Sequence, residues 1–177
     1  MRELMDLGLY IGVNGCSFKT AENCEVVKEI ELSRLMLETD GPWCEVRPSH
    51  EGWKYLVEFE VKAKADAAAA AAAAAAEAVV VAPEEQGEAG QRRERRKKPQ
   101  QQQQQGKKNQ KKEPEVPDRY KVVKKEKWEE GAMVKGRNEP CTIDRIARIV
   151  AGIKGVTVEE VCEAAWSNTV KVFEVDS

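Results

Sequence analysis

The sequence predicts an α/β fold whose chain is interrupted by a low-complexity insert. Three observations lead there. A strand, a helix and a second strand follow one another within the first forty residues. Two amphipathic helical patterns occupy the last third. Between them lies a stretch of alanine, glutamine and basic residues without apolar periodicity.

Residues 7–14 are rich in Leu, Tyr, Ile and Val and read as a buried strand, with Asn14-Gly15 supplying the turn that ends it. Thr20 to Glu29 reads as a short helix with Thr20 as N-cap and Val26, Val27 and Ile30 on its inner face. A second strand is expected from Arg34 to Asp40, reached through Leu32-Ser33. Strand, helix and strand in so short a span form a βαβ unit, which implies parallel pairing and a right-handed crossover. After Asp40 the Gly41-Pro42-Trp43 turn opens a polar loop expected to reach Trp53-Lys54-Tyr55.

The low-complexity segment follows. Its ten consecutive alanines favour helix by propensity but offer no second face to bury. Gln100 to Gln105, flanked by Lys and Arg, has the composition of disordered chain. Order is expected to resume near Tyr120. Pro140 suits a first helical position, with Asn138 or Glu139 before it. Ile143, Ile146, Ala147, Val150 and Ile153 then recur at helical spacing up to Gly155. Thr157 and Glu160 form a capping box that opens a last helix, with Val158, Val161, Cys162, Ala165 and Trp166 expected on one face. The expected boundaries are 1–61, an insert at 62–118, and 119–177.

Composition narrows the function. The chain of 177 residues has 29 basic and 31 acidic side chains, but residues 62–127 hold 17 basic and 10 acidic ones, net +7, leaving the remainder at −9. The folded part is acidic and the insert basic. The single histidine, His50, excludes a histidine-rich catalytic metal cage built from this chain alone. The five cysteines contain no CxxC pair, which argues against a zinc ribbon or a disulfide framework and for reduced thiols inside the cell, in cytoplasm or nucleus. The N-terminal stretch has acids and no long apolar core, unlike a signal peptide. The alanine tract is too short and too weakly apolar to span a bilayer, so no membrane is expected.

Asp40 is the most informative side chain. It ends a strand expected to be buried and parallel, and ligands in α/β folds gather at that end of the sheet. A carboxylate there can hold a divalent metal or take a proton from water, or it can simply cap the turn at Gly41. Glu38, two residues earlier, points to the same strand face; its plainer reading is a structural one, a buried ion pair. His50 could meet a phosphate or a metal, or be a solvated loop histidine. Arg137, Asn138 and Glu139 read as a helix start, with Glu139 structural, while Arg137 and Asn138 also suit phosphate binding. Arg92 to Lys98 and Lys107 to Lys112 suit electrostatic contact with nucleic acid or the import machinery, though the aromatics of a stacking platform are missing there.

Four segments in order, LYIGVNGCSFKT, RLMLETDGPW, KGRNEP and the terminal NTVKVF, resemble the TatD family of metal-dependent deoxyribonucleases. The resemblance covers about residues 1–61 and 119–173. It implies a fragment of an amidohydrolase-like (β/α)8 TIM-type barrel, with Leu9–Asn14 as the seventh strand, Leu35–Asp40 as the eighth, and the insert in the loop after it. It also implies that Asp40 binds the divalent metal, Mg²⁺, Mn²⁺ or Zn²⁺, and helps deprotonate the attacking water, with DNA as substrate. Family members carry a His-x-His pair, a bridging Glu and two further His on earlier strands, none of which is expected here. The ETDAP wording of the family is ETDGP in this chain. The expectation is therefore a TatD-type hydrolase in truncated form, its metal site incomplete. The alternative is a non-catalytic basic protein that binds nucleic acid or import factors through residues 92–112.

Overall fold

The computed structural model describes the backbone of residues 1–80 and 116–175, and side chains within 1–74 and 116–175. The chain divides into two units, Met1–Ala63 with Pro114–Ser177, and Lys64–Glu113. The first is an α/β unit that holds the hydrophobic core.

A short helix, α1 (Arg2–Asp6), precedes the first strand, where the sequence reading has a strand starting at Leu7. Gly8, at φ 84°, turns the chain out of α1, and the amide of Leu9 closes onto the carbonyl of Leu4 at 3.1 Å. That turn leaves Leu7 and Leu9 exposed and shortens strand β1 to Ile11–Val13. Helix α2 (Ala21–Glu29) follows, capped by the Thr20 side chain as expected. Its inner face is Cys24, Val27 and Ile30; Val26, expected there, is 43% exposed. Strand β2 spans Leu35–Leu37, shorter than the expected Arg34 to Asp40, and pairs with β1 in parallel.

Helix α3 (Trp53–Val80) replaces both the expected polar loop at Trp53 and the start of the insert. Its first turns bury Leu56 and pack Trp53, Tyr55 and Val57 on the core. Tertiary burial thus nucleates the helix, and the alanines propagate it at low cost. Arg148 holds this start from the side, bonding Glu60 at 3.2 Å with its guanidinium over the Phe59 ring. In the second unit, residues 64–74 continue α3 with every side chain exposed. The disorder expected of the insert cannot hold for 62–80, which are helical; the glutamine run and both basic clusters lie outside the described residues.

Beyond residue 116 the sequence reading misses a small parallel pair, β3 (Val122–Val123) with β4 (Met133–Val134). Two-residue strands are too short to show a period. Pro140 opens a 3-10 turn with Glu139 at its N-cap, and the turn leads into α4 (Ile143–Lys154). Gly155 ends α4 in the left-handed conformation at φ 67°, as its position implies. Helix α5 (Val158–Phe173) starts with the expected Thr157/Glu160 capping box. Its buried stripe is Val161, Ala165 and Asn168, while Cys162 and Trp166, placed inside by the sequence reading, face outward, Trp166 at 62% exposure. Val158, Val161 and Ala165 belong to both, so the observed stripe is turned toward Asn168 by about half of one residue's 100° step.

The core brings α5 onto β2 and the turn before it, and α4 onto α2 and α5. Phe18, Leu35, Ile149, Val150 and Val161 are almost wholly buried there. Each such side chain contributes about 1.5–3 kcal/mol on leaving water. Asn168 joins them through hydrogen bonds: its amide donates to the carbonyls of Leu32 at 2.8 Å and Leu35 at 2.7 Å, tying α5 to the start of β2.

Candidate functional site

Parallel pairing sets the carboxyl ends of β1 and β2 side by side. Val13 pairs with Leu37, so Asn14 and Glu38 leave the sheet together. The Asn14 amide donates to Asp40 Oδ2 at 2.7 Å and to Glu38 Oε1 at 3.4 Å. Its Oδ1 accepts from the Cys16 amide at 2.8 Å, while the Asn14 N–H donates to Ser17 Oγ. A capping box on the 3-10 turn Gly15–Phe18 therefore fixes the Asn14 rotamer, and Asn14 in turn fixes two carboxylates. The absence of a Cβ at Gly12 leaves room for this: one there would lie 2.8 Å from Glu38 Oε1.

Asp40 is exposed and sits three residues past the end of β2, in the left-handed region at φ 51°. Asp tolerates that region better than most residues, but for an L-residue it costs about 1–2 kcal/mol. Backbone strain of this kind persists where the surroundings enforce it, commonly at functional positions. Glu38 is not the buried half of an ion pair, as expected. It is exposed, because β2 ends at Leu37, and it accepts from an amide rather than from a cation.

Asn138 has a role that sequence reasoning missed. It is 4% exposed, and its amide donates to the carbonyl of Thr39 at 2.7 Å. Its Oδ1 accepts from Thr142 Oγ1 at 2.6 Å and from the Glu139 amide at 3.1 Å, and its own N–H donates to the carbonyl of Pro42 at 3.0 Å. Two of these bonds hold the Thr39–Pro42 loop and two tie Asn138 to the turn that leads into α4. Glu139 caps by backbone position alone, without a side-chain bond. Arg137 is exposed and lines a groove of about 830 Å³ beside Gly41 and Pro42, together with Lys125, Tyr120 and Trp128. The groove joins cationic groups and aromatic rings, the chemistry of phosphate contact and base stacking.

His50 lies beside the backbone of Gly15, next to Asn14, in the turn that packs on the 3-10 segment through Gly52 N–H to the Phe18 carbonyl. Its Nδ1 is buried and has no hydrogen-bond partner among the described residues. Burial, aided by Lys19 and Arg47, pulls its pKa below the ordinary value. Cys16 and Cys44 bring their sulfurs to 3.0 Å, and Cys44 Sγ is 3.9 Å from Asp40 Oδ2. The hydrogen bond with Cys16 and then burial push the Cys44 thiol up to about 11. Among the described residues no three His, Cys, Asp or Glu side chains converge as a metal cage.

The family model for TatD related DNase matches residues 1–86. Together with the relatives that follow, this match supports a TatD-family protein. It is 34% identical over 173 residues to a protein named Deoxyribonuclease Tat-D from Schizosaccharomyces pombe, covering 98% of this chain and 37% of that one. A protein of the same name from Saccharomyces cerevisiae is 31% identical over 98% of this chain and 31% of its own length. The chain thus spans about a third of the length of the curated relatives it matches. An uncharacterized amidohydrolase from Saccharomyces cerevisiae superposes with a TM-score of 0.64 at 30% identity, over 97% of this chain and 36% of that one. A hydrolase of the TatD family from Entamoeba histolytica, at 24% identity and a TM-score of 0.57, shares the fold over 96% of this chain and 36% of its own. Among the described residues no helix is long and apolar enough to cross a membrane.

Proposed function

We propose that this TatD-family chain is the C-terminal part of a metal-dependent deoxyribonuclease, with β1 and β2 as the last two strands of a (β/α)8 barrel and Asp40 as its catalytic carboxylate. One observation carries the reading. Asp40 stands exposed beyond the carboxyl end of a parallel strand, oriented by the Asn14 amide at 2.7 Å, and its other oxygen makes no hydrogen bond among the described residues. That is where barrel enzymes place their chemistry.

The described residues do not complete a metal site. Asp40 and Glu38 supply hard oxygen donors of the class that Mg²⁺ and Mn²⁺ take, and Zn²⁺ accepts them as well, but two carboxylates do not make a cage. A bound divalent cation would offset phosphate charge. The part read here for Asp40 itself is to hold its carboxylate toward the substrate side and accept a proton from the attacking water. Asn14 positions it, and Asn138 keeps the loop beneath it in place. Arg137 and Lys125, with Trp128 and Tyr120 nearby, would meet the DNA backbone and bases along the groove. The segments 1–61 and 119–177 form the barrel part in this reading, and 62–118 an insert. The protein works inside the cell, in cytoplasm or nucleus.

The test begins with the mass of the endogenous protein. Immunoblot and mass spectrometry of cell extract are expected to find a species well above 19.8 kDa. Immunoprecipitated, it should cleave DNA only with a divalent metal, and Asp40→Asn should abolish cleavage without lowering its abundance. Cleavage that survives Asp40→Asn refutes the assignment of Asp40. Metal-dependent cleavage by the 177-residue chain alone refutes the incomplete site. A species at 19.8 kDa without cleavage would instead favour a non-catalytic protein acting through basic residues 92–112, which lie outside the described residues.

A further inference from the structure

Two of the five cysteines face each other across the base of the candidate site. Cys16 lies in the 3-10 turn Gly15–Phe18 after β1, and Cys44 in the connection between β2 and α3. Their sulfurs are 3.0 Å apart, with both residues half-buried and so within reach of a small solute. The approach is imposed by the backbone rather than by a chance rotamer. A Cβ on Gly15 would lie 1.9 Å from the carbonyl oxygen of Cys44, so the two backbone segments are already in contact beside the sulfurs. Cys44 itself is held in the left-handed region at φ 53°, a conformation that a free loop residue with a side chain would leave. The other thiols are placed differently: Cys24 is buried in the core, Cys162 is exposed on α5, and Cys141 has Met133 Sδ as its sulfur neighbour at 3.7 Å.

We infer that Cys16 and Cys44 are a thiol pair that a peroxide converts to a disulfide, tying the loop that carries Asp40 to the turn that carries Asn14. The reaction balances in two steps. One thiol attacks a peroxide oxygen, breaking the O–O bond; with hydrogen peroxide it becomes a sulfenic acid and releases water. The facing thiol then attacks that sulfur, forming the S–S bond and expelling a second water. Two electrons leave the sulfur pair and reduce one peroxide. Because the sulfurs already stand 3.0 Å apart, the second step requires a closure of only about 1 Å and should outrun further oxidation of the sulfenic acid.

The oxidised pair closes a short cross-brace around the site. Asp40 lies four residues before Cys44, and Asn14 two before Cys16, so the bond would hold donor and acceptor of the 2.7 Å contact at fixed separation. Amides in residues 39–44 should then exchange with solvent more slowly than in the reduced chain.

The experiment treats the reduced full chain with graded hydrogen peroxide and reads intact mass, followed by proteolysis without reductant. The expected product has lost two hydrogens, has gained no oxygen, and yields a peptide joining Cys16 to Cys44 that dithiothreitol separates. Cys162→Ser should leave that product unchanged. Cys16→Ser should convert it to oxygen adducts on Cys44. Hydrogen exchange on the wild-type oxidised form should show protection gained at 39–44. Oxygen addition without hydrogen loss in the wild-type chain, or a link mapped to Cys24, Cys141 or Cys162 instead, overturns the pairing whatever the variants do. A Cys16–Cys44 link with unchanged exchange at 39–44 overturns the brace.

Discussion

Asn138→Ala separates a residue that builds the site from one that binds at it. The substitution removes three side-chain hydrogen bonds, to Thr39, Thr142 and Glu139, and keeps the backbone bond to Pro42. Each removed bond is worth about 1 kcal/mol net, and the Thr39 carbonyl and Glu139 N–H are left without these partners in a half-buried setting. Thr142 loses least, since its hydroxyl can turn to the Glu139 carbonyl at 2.9 Å. The sum is a loss of about 2–4 kcal/mol, a large share of the roughly 5–15 kcal/mol that holds a domain together.

Urea denaturation followed by tryptophan fluorescence measures this directly. The midpoint should fall while the slope stays constant, because the surface exposed on unfolding is unchanged. Arg137→Ala, one residue away on an exposed side chain, should stay within about 0.5 kcal/mol of wild type. A loss below about 0.5 kcal/mol for Asn138→Ala would refute the reasoning, since it would make Asn138 an ordinary surface residue.

Three further outcomes follow from the same geometry. His50 has a folded pKa below its ordinary value of 6.5, so stability should be complete above that value and fall as pH is lowered toward the folded pKa; His50→Gln should flatten this acid limb in denaturation curves taken across the window. Thr157→Ala removes the cap that accepts from the Glu160 amide and should cost about 1 kcal/mol, seen as a thermal midpoint lower by a few degrees. Gly15→Ala places a methyl 1.9 Å from the Cys44 carbonyl oxygen and should destabilise by about 1–3 kcal/mol or more in urea, whereas Gly131→Ala meets no atom within 4 Å and is limited to its backbone strain.

The sequence showed the parts of the fold where local chemistry suffices. Thr20, Gly155 and the Thr157/Glu160 box act through bonds within one turn, and each is where the pattern puts it. The parallel pairing of β1 with β2 was legible from the order of elements. Tertiary choices were not. Nothing local decides that α5 buries Asn168 and exposes Trp166, because the carbonyls that Asn168 satisfies belong to Leu32 and Leu35. The start of α3 at Trp53 was hidden for the same reason, since Leu56 is helical only once it meets the core. At the site, Asp40 could be singled out from the end of its strand, but its partners could not. Asn14 looked like a turn residue and Asn138 like a cap, and each does act locally. Their second bonds, to Asp40 and Thr39, span 26 and 99 positions.

Those long spans also bear on the segment Lys64–Glu113, because both of its flanks belong to the first unit. The Thr39–Asn138 bond and the Pro42–Asn138 bond close a loop that contains this whole segment, yet both ends of each bond lie in the first unit. Closing a loop costs entropy that grows only with the logarithm of its length, about 0.6 kcal/mol for each doubling. The bonds of Asn138 and the burial of Ile146, Ile149 and Val150 behind it exceed that several-fold. Deleting residues 88–112, half of the segment, should therefore leave the urea midpoint of the first unit within roughly 0.6 kcal/mol of wild type, and Asn138→Ala should cost as much in the shortened chain as in the full one. A loss of several kcal/mol on deletion would mean that the segment supports the core, and the separation of site from insert would be wrong.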